Sequence, residues 1–158
     1  MATRLPKQAF LAIAAVAWAD GRMRRDEADG LLRAARASGL DGDELAALER
    51  ATASALDLGA VELGELNRWQ RALTYAFASW LARLDGVVNA EELATLRKLG
   101  AALELPQPTL ASAASAAFDI ACLPDGHRPE KYDFRALEER LMEKLPGSFR
   151  ESHAPTAS

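Results

Sequence analysis

Alanine dominates this chain, and the residues that favour β-strands are scarce. Of its 158 residues, 34 are alanine, whereas only four are valine and two are isoleucine. Alanine has the highest intrinsic helix propensity, and β-branched residues are those that pack best on a pleated sheet. A chain with so little Val and Ile cannot readily build the core of a sheet. The sequence therefore predicts an all-α protein.

Composition and charge exclude several classes of function. Hydrophobic residues make up 49% of the chain and charged residues 27%, a globular rather than a disordered mixture. The net charge of -4 argues against a basic surface for nucleic acid. One cysteine and two histidines leave no disulfide framework and no Cys-rich zinc site. The sequence contains no phosphate-binding glycine loop and no evident set of nucleophile, base and orienting group, so we expect a non-enzymatic protein.

The first twenty residues have the outline of a secretory signal. Arg4 and Lys7 are followed by an apolar run over residues 9–19, which ends in Ala17-Trp18-Ala19. The run is too short for a membrane span, which needs about 20 residues. Pro6 suits the first turn of a helix, and a similar segment recurs later in the chain. We therefore expect a buried first helix, no membrane insertion and a cytoplasmic location.

Two segments of the chain share one pattern at a constant offset of 65 residues. Asp20-Gly21 matches Asp85-Gly86, and the acidic pair at 26–27 matches the pair at 91–92. Leucines at 31 and 40 match leucines at 96 and 105, and no gap is needed over the whole stretch. The simplest interpretation is a duplicated helix-loop-helix unit with pseudo-symmetric copies.

Apolar spacing predicts the remaining helices. Residues three or four apart share one helix face, and this spacing recurs at 45–56, 73–84, 93–103 and 134–145. Gly39 is expected as a helix C′ residue, Asp133 as an N-cap, and the two prolines at 106 and 108 as the start of an alanine-rich helix. A short helix is expected between Val61 and Leu66. The prediction is one bundle of about seven helices over residues 4–146, followed by a flexible tail over 147–158, with Leu123 to Lys131 as the longest connection.

The repeated loops have the form Asp-Gly-x-apolar-x-x-x-Glu, which admits a purely structural interpretation. Asp-Gly is a strong turn dipeptide, and acidic residues in a first helical turn complement the helix dipole. Asn89 stands three residues before Glu92, as in a capping box. In the first copy, Arg24 occupies the corresponding position and cannot accept a backbone N–H.

The same form also matches the last eight positions of an EF-hand calcium loop. That loop requires oxygen ligands four and two residues before the Asp as well. Val16 and Trp18 occupy those positions in one copy, and Leu81 and Arg83 occupy them in the other. An EF-hand is therefore rejected.

The paired Ala-x-Ala-Asp-Gly segments resemble those of the TerB-like tellurite-resistance family. Ala17 to Glu27 and Ala82 to Glu92 carry the resemblance, which extends over residues 10–105. The resemblance implies an all-helical fold in two pseudo-symmetric halves and a role in bacterial tellurite and general stress resistance. It also implies that acidic residues of the motifs bind a divalent metal, here through Asp20, Glu27, Asp85 and Glu92. Related domains occur in membrane-anchored co-chaperones and in multidomain bacterial defence proteins.

Two functions follow as hypotheses. The first is a non-enzymatic TerB-like module with a divalent cation, because carboxylate oxygens suit Ca²⁺, Mg²⁺ or Mn²⁺. Arginines at 22, 24 and 25 offer the same carboxylates a competing ion pair. The alternative is a metal-free helical adaptor that binds another protein.

Single residues of interest receive structural interpretations. Cys122 follows an alanine-rich stretch, and we expect it to be a small core residue, as buried free cysteines commonly are. His127 is expected in a solvated loop. The three tryptophans at 18, 69 and 80 lie among apolar neighbours and are expected in the core.

Overall fold

The computed structural model describes residues 5–18, 25–54, 58–64, 66–82, 90–122 and 134–145, without the side chains of residues 26, 27, 60, 92, 134 and 135. Over these ranges the chain forms seven α-helices, one 3-10 turn at Leu58–Ala60 and no strand, so the all-α prediction is confirmed. The α-helices are α1 (Lys7–Ala17), α2 (Arg25–Ala37), α3 (Gly42–Ala53), α4 (Arg68–Leu81), α5 (Ala90–Ala102), α6 (Gln107–Ala121) and α7 (Phe134–Lys144). The predicted tail, the connection from Leu123 to Lys131 and the expected cap Asp133 lie outside the described residues.

The core is built around α1 and α4, which pack against each other. Phe10 of α1 meets the ring of Phe77 edge to face at 6.2 Å, and Phe77 lies 5.8 Å from Trp80. All three side chains are fully buried. Complete burial of a side chain such as Phe stabilises the fold by about 1.5–3 kcal/mol. The apolar residues at 9–17 therefore belong to a core helix, as Pro6 and the recurrence of the segment predicted.

Alanine side chains let α6 pack closely on α4. α6 packs extensively on α4, and its inward residues Ala113, Ala116 and Ala117 are fully buried. Small side chains at these positions let two helix backbones approach closely. α7 packs on α6 and also contacts α4, and it contributes Leu137, Leu141 and Leu145 to the core.

The tryptophan prediction is confirmed at two of three positions. Trp69 and Trp80 are fully buried in α4. Trp18 is half-buried at the end of α1, where its indole N–H donates a hydrogen bond of 2.7 Å to the carbonyl of Ala51. This bond ties the C-terminus of α1 to the last turn of α3 and satisfies a carbonyl that the end of a helix leaves open.

Two capping boxes fix the starts of α3 and α4. The carboxylate of Asp41 accepts from the backbone N–H of Glu44 at 2.8 Å, and the side chain of Glu44 accepts from the N–H of Asp41. Asn67 and Gln70 exchange the same pair of bonds at the start of α4. Each reciprocal pair satisfies two orphan N–H groups.

The short helix predicted between Val61 and Leu66 is wrong. The 3-10 turn comes earlier, at Leu58–Ala60, and the described residues between Val61 and Leu66 form a bend, a turn and irregular backbone. The physical reason is local, because Gly64 favours a turn and Asn67 begins α4 at the next residue.

Helices α2 and α5 end in the same Schellman motif, 65 residues apart. Gly39 and Glu104 occupy the C′ position with φ values of 85° and 56°. The N–H of Leu40 donates to the carbonyl of Ala35 at 3.3 Å, and that of Leu105 donates to the carbonyl of Gly100 at the same distance. Gly39 confirms the expected C′ glycine, whereas Glu104 adopts this left-handed conformation despite its Cβ.

The helix bounds also follow the offset found in the sequence. α2 and α5 coincide after a shift of 65 residues, and α3 and α6 begin at equivalent positions, Gly42 and Gln107. α1 packs on α2, α3 and α5, and α4 correspondingly packs on α5, α6 and α2. One relation differs, because α2 packs on α3 whereas α5 and α6 make few contacts. Superposition of the two halves stays a prediction.

Arg71 joins three parts of the bundle. Its guanidinium donates to the carbonyls of Leu66 at 2.8 Å and Leu103 at 2.9 Å, and it pairs with Glu104 at 3.2 Å. Leu103 lies at the end of α5, where a cation complements the helix dipole. The side chain of Arg71 is only 17% exposed, in contrast to the 80% of Glu104, so the carbonyl bonds matter more than the exposed ion pair.

We expect Arg71→Met to lower the free energy of unfolding by about 2 kcal/mol, because two carbonyls lose charge-assisted hydrogen bonds. Urea denaturation followed by circular dichroism measures this loss. Arg33→Met, at an exposed position of α2, is the matched control and should leave the midpoint unchanged. Equal midpoints for both variants would contradict the role assigned to Arg71.

Glycine and alanine substitutions at the C′ positions test the two Schellman turns. Gly39→Ala should lower the free energy of unfolding by about 1 kcal/mol, because a Cβ disfavours positive φ. Glu104→Gly should be more stable than Glu104→Ala by a similar amount. Both Glu104 variants lose the ion pair with Arg71. The difference between their free energies of unfolding therefore measures the cost of positive φ for a residue with a Cβ. Thermal unfolding of the four proteins measures it, and equal stability of the two Glu104 variants would refute it.

Candidate functional site

The side chains of the four predicted metal ligands lie outside the described part of the structure. Asp20 and Asp85 precede α2 and α5, and the side chains of Glu27 and Glu92 belong to the undescribed set. α2 begins at Arg25 and α5 at Ala90, so both Asp-Gly dipeptides stand five residues before the second helix of a pair. Whether the four carboxylates come together stays a prediction.

The neighbours of these ligands are described in part. Glu91 is exposed in the first turn of α5, and its carbonyl accepts a 3.0 Å hydrogen bond from Thr95 Oγ1. The side chain of Asp26 belongs to the undescribed set, as does the whole of His127. Within the ranges that the structure describes, no group of three or more His, Cys, Asp or Glu side chains is arranged to hold a metal ion.

A charged cluster joins the end of α6 to α7. Asp119 accepts hydrogen bonds from Arg140 at 2.8 Å and from Lys144 at 3.0 Å, and Arg140 also pairs with Glu143 at 3.0 Å. The hydrogen bond from Lys144, followed by that from Arg140, lowers the pKa of Asp119 below its ordinary value. The bond to Asp119 correspondingly raises the pKa of Arg140. A carboxylate held in its charged form is suited to ion pairing and poorly suited to general acid catalysis.

Cys122 lies at the open edge of this cluster, and the expectation of a core cysteine is wrong. It is the C-cap of α6 and is exposed, in a cleft of about 430 Å³ shared with Asp119 and Arg140. The helix register explains the difference. Ala113, Ala116 and Ile120 define the buried face of α6, and position 122 falls two residues beyond the last of them, on the other side.

A second concavity is an apolar groove between α4, α5 and α6, with a volume of about 520 Å³. We call it the α4–α5–α6 groove. Its apolar lining comprises Tyr75, Leu93, Ala101, Leu105, Leu110, Ala111 and Ala114. Arg97 and Gln107 also line it, and Arg97 is the one described lining residue with a formal charge. This shape suits an apolar ligand with a polar anchor more than it suits a metal ion.

The groove was not predicted from the sequence, because Leu93 has the spacing of a residue on the inner face of α5. Leu96, Leu99 and Leu103 are buried as expected, whereas Leu93 is 43% exposed. One turn after Leu93 the helix carries Arg97, which cannot enter an apolar core without a partner. The positions 93, 97 and 101 therefore form a second face, and the arginine was the available signal for it.

Acid titration tests the charge cluster. Lys144→Gln and Arg140→Gln should each raise the pKa of Asp119, whereas Lys98→Gln, at an exposed position of α5, should not. Because the folded-state pKa is lowered, the stabilisation from Asp119 is present above the ordinary carboxyl pKa. It is lost as the pH falls through the folded-state value. Carboxyl carbon NMR measures the titration, and an unchanged Asp119 curve in both variants would contradict the assignment.

Comparison of the chain with protein-family models, with curated proteins and with solved structures finds no match. None of the helices in the described ranges has the length and apolar character needed to cross a membrane. Evidence on function therefore comes from the sequence motifs and from the geometry of the described residues.

Proposed function

We propose that this chain is a non-enzymatic TerB-like module of a cytoplasmic bacterial stress response of the tellurite-resistance type. We further propose that it binds a divalent cation through Asp20, Glu27, Asp85 and Glu92. The observation that carries the proposal is the position of the two Asp-Gly segments. Each stands five residues before the second helix of a helix pair, and the bounds of those helices are related by the same 65-residue offset as the motifs.

The packing of the bundle supports a relation between the two acidic segments. α1 packs on α5 and α4 packs on α2, so each helix pair engages the second helix of the other. Four carboxylates drawn from both segments hold a hard cation far better than two from one segment. Carboxylate oxygens in such a set favour Ca²⁺, Mg²⁺ or Mn²⁺ over softer metals.

Calorimetric titration tests the cation. We expect saturable binding of Ca²⁺, Mg²⁺ or Mn²⁺ at or below about millimolar concentration, with a matching rise in thermal stability. Asp85→Asn combined with Glu92→Gln should abolish both responses, because neutral amides are weaker ligands for a hard cation. Asp20→Asn with Glu27→Gln should have the same effect if the two segments share one ion.

The control pair is Asp43→Asn with Glu49→Gln, which removes two exposed carboxylates of α3 outside the motifs. This variant should bind the cation as the unaltered protein does. Absence of any heat or thermal shift at millimolar Ca²⁺, Mg²⁺ and Mn²⁺ in the unaltered protein would end the metal hypothesis. Equal loss of cation binding in the control pair would show that the response comes from the net negative charge and not from a specific site.

A metal-free adaptor for another protein is the second candidate, and the α4–α5–α6 groove favours it. Leu93 and Phe118 are the large hydrophobic side chains that stand exposed among the described residues, at 43% and 52%. Leu93 lines the groove, and Phe118 lies one turn beyond Ala114 on the same face of α6. Exposed apolar surface concentrated around one concavity is typical of a protein-binding site.

A further inference from the structure

We propose that the α4–α5–α6 groove binds an amphipathic helix of a partner protein, and that this helix presents a carboxylate to Arg97. The proposal deepens the adaptor function and rests on it, and it is independent of the divalent cation. Helix-in-groove recognition combines an apolar stripe on the ligand with a hydrophobic channel between helices of the receptor. The length of the groove, the small size of some lining side chains and the charge of Arg97 each match one feature of this mode of binding.

The apolar surface has the length that a helical ligand needs. Ala111 and Ala114 line the groove, and Phe118 continues the same face of α6 one turn beyond it. The rise of an α-helix gives this apolar face a length of about 10 Å, which matches about two turns of a bound helix. Leu93 on α5 lies across the groove from this face.

The side chains along the groove are small where a ligand backbone would approach. Ala111 and Ala114 leave the α6 side shallow. On the α5 side, Gly100 is buried, and a Cβ built there would meet Cδ2 of Leu110 at 2.9 Å. The missing side chain therefore lets Leu110 rest against α5 instead of rising into the groove.

Charge selects the kind of helix. Arg97 makes no hydrogen bond or ion pair within the part of the chain that the structure describes, and it is exposed beside apolar side chains. An arginine in this setting gains most from a carboxylate, which it can bind through two parallel hydrogen bonds. A basic helix would place like charges together at the edge of the groove.

In the N-terminal half, the equivalent helices α2 and α3 are packed differently from α5 and α6. Leu32 stands 65 residues before Arg97, and it packs against the core with Leu40 and Leu45. There α2 and α3 pack on each other, whereas α5 and α6 approach closely at fewer positions, with Leu110 of α6 against Gly100 of α5. In the second half the exposed Arg97 takes the place of this partly buried leucine, and the apolar lining of the groove remains available to a ligand.

A displayed peptide library tests the proposal. The probes are helical peptides of about 14 residues, with fixed leucines on one stripe and random residues elsewhere, long enough to cover the groove. Selection on the full chain should enrich Asp or Glu at one position beside the stripe. Selection on Arg97→Glu should enrich Lys or Arg at that position instead.

Variants locate the binding. An enriched acidic peptide should bind Arg97→Glu at least about tenfold more weakly, since a charge-assisted bond is replaced by repulsion. Ala111→Glu should abolish binding, because it places a bulky charge in the groove. The controls are Arg33→Glu and Ala37→Glu, both at exposed positions of α2, and both should bind as the unaltered protein does. Methyl NMR should show shifts at Leu93, Leu105 and Leu110.

Three results would overturn the proposal. One is a selection that enriches no peptide over the Ala111→Glu protein. Another is a bound peptide whose affinity is equal for Arg97→Glu and Arg33→Glu. The third is concentration-dependent dimerisation that shifts the same methyl groups without peptide, which assigns the groove to a second copy of the chain. A stable protein partner that still binds Ala111→Glu would preserve the adaptor function and remove only the groove, and metal titration decides the cation separately.

Discussion

The bundle depends on close contact between helices whose buried side chains include many alanines. α4 packs on α1 on one side and on α6 on another, and few of its residues reach solvent. Alanine loses no side-chain rotamer freedom on burial, so a helix rich in it becomes ordered at low entropic cost. The large residues Phe10, Phe77 and Trp80 fill the remaining volume between α1 and α4. An alanine-rich composition thus sets both the secondary structure and the spacing of the helices.

Close packing of short helices makes their ends important. Every helix leaves open N–H groups at its start and open carbonyls at its end. Asp41 and Asn67 satisfy the starts of α3 and α4 with reciprocal capping bonds. Trp18 and Arg71 satisfy carbonyls near the ends of α3 and α5 from other helices. These last two bonds join sequentially distant parts of the chain, so they stabilise tertiary contacts as well as helix ends.

Much of the fold could be predicted because it follows from short-range rules. Helix propensity, the three-four spacing of leucines and the glycine at position 39 all act within a few residues of the chain. The capping boxes at 41–44 and 67–70 obey the same local rules, and recognition of Asn67 as a cap would have removed the wrong helix after Val61. The local sequence therefore already indicated that α4 begins after Asn67.

The candidate sites were less predictable because they depend on which face of a helix finds a neighbour. Leu93 has the spacing of a core residue, yet α6 does not approach it closely enough to bury it. Cys122 has the chemical character of a core residue, yet the register of α6 turns it outward. Neither outcome follows from hydrophobicity alone, since burial requires a packing partner and the pairing of helices is a long-range property.

The difference between the two halves connects the fold to binding. Equivalent helix bounds and equivalent Schellman turns give α2–α3 and α5–α6 the same local geometry at their junctions. Leu32 packs against the core in the first half, whereas Arg97 at the equivalent position is exposed beside the groove, because an apolar interior would not accept an unpaired charge. At equivalent positions the second half carries Arg97 in place of Leu32 and Leu93 in place of Ala28, so several substitutions together accompany a groove that can accept a ligand.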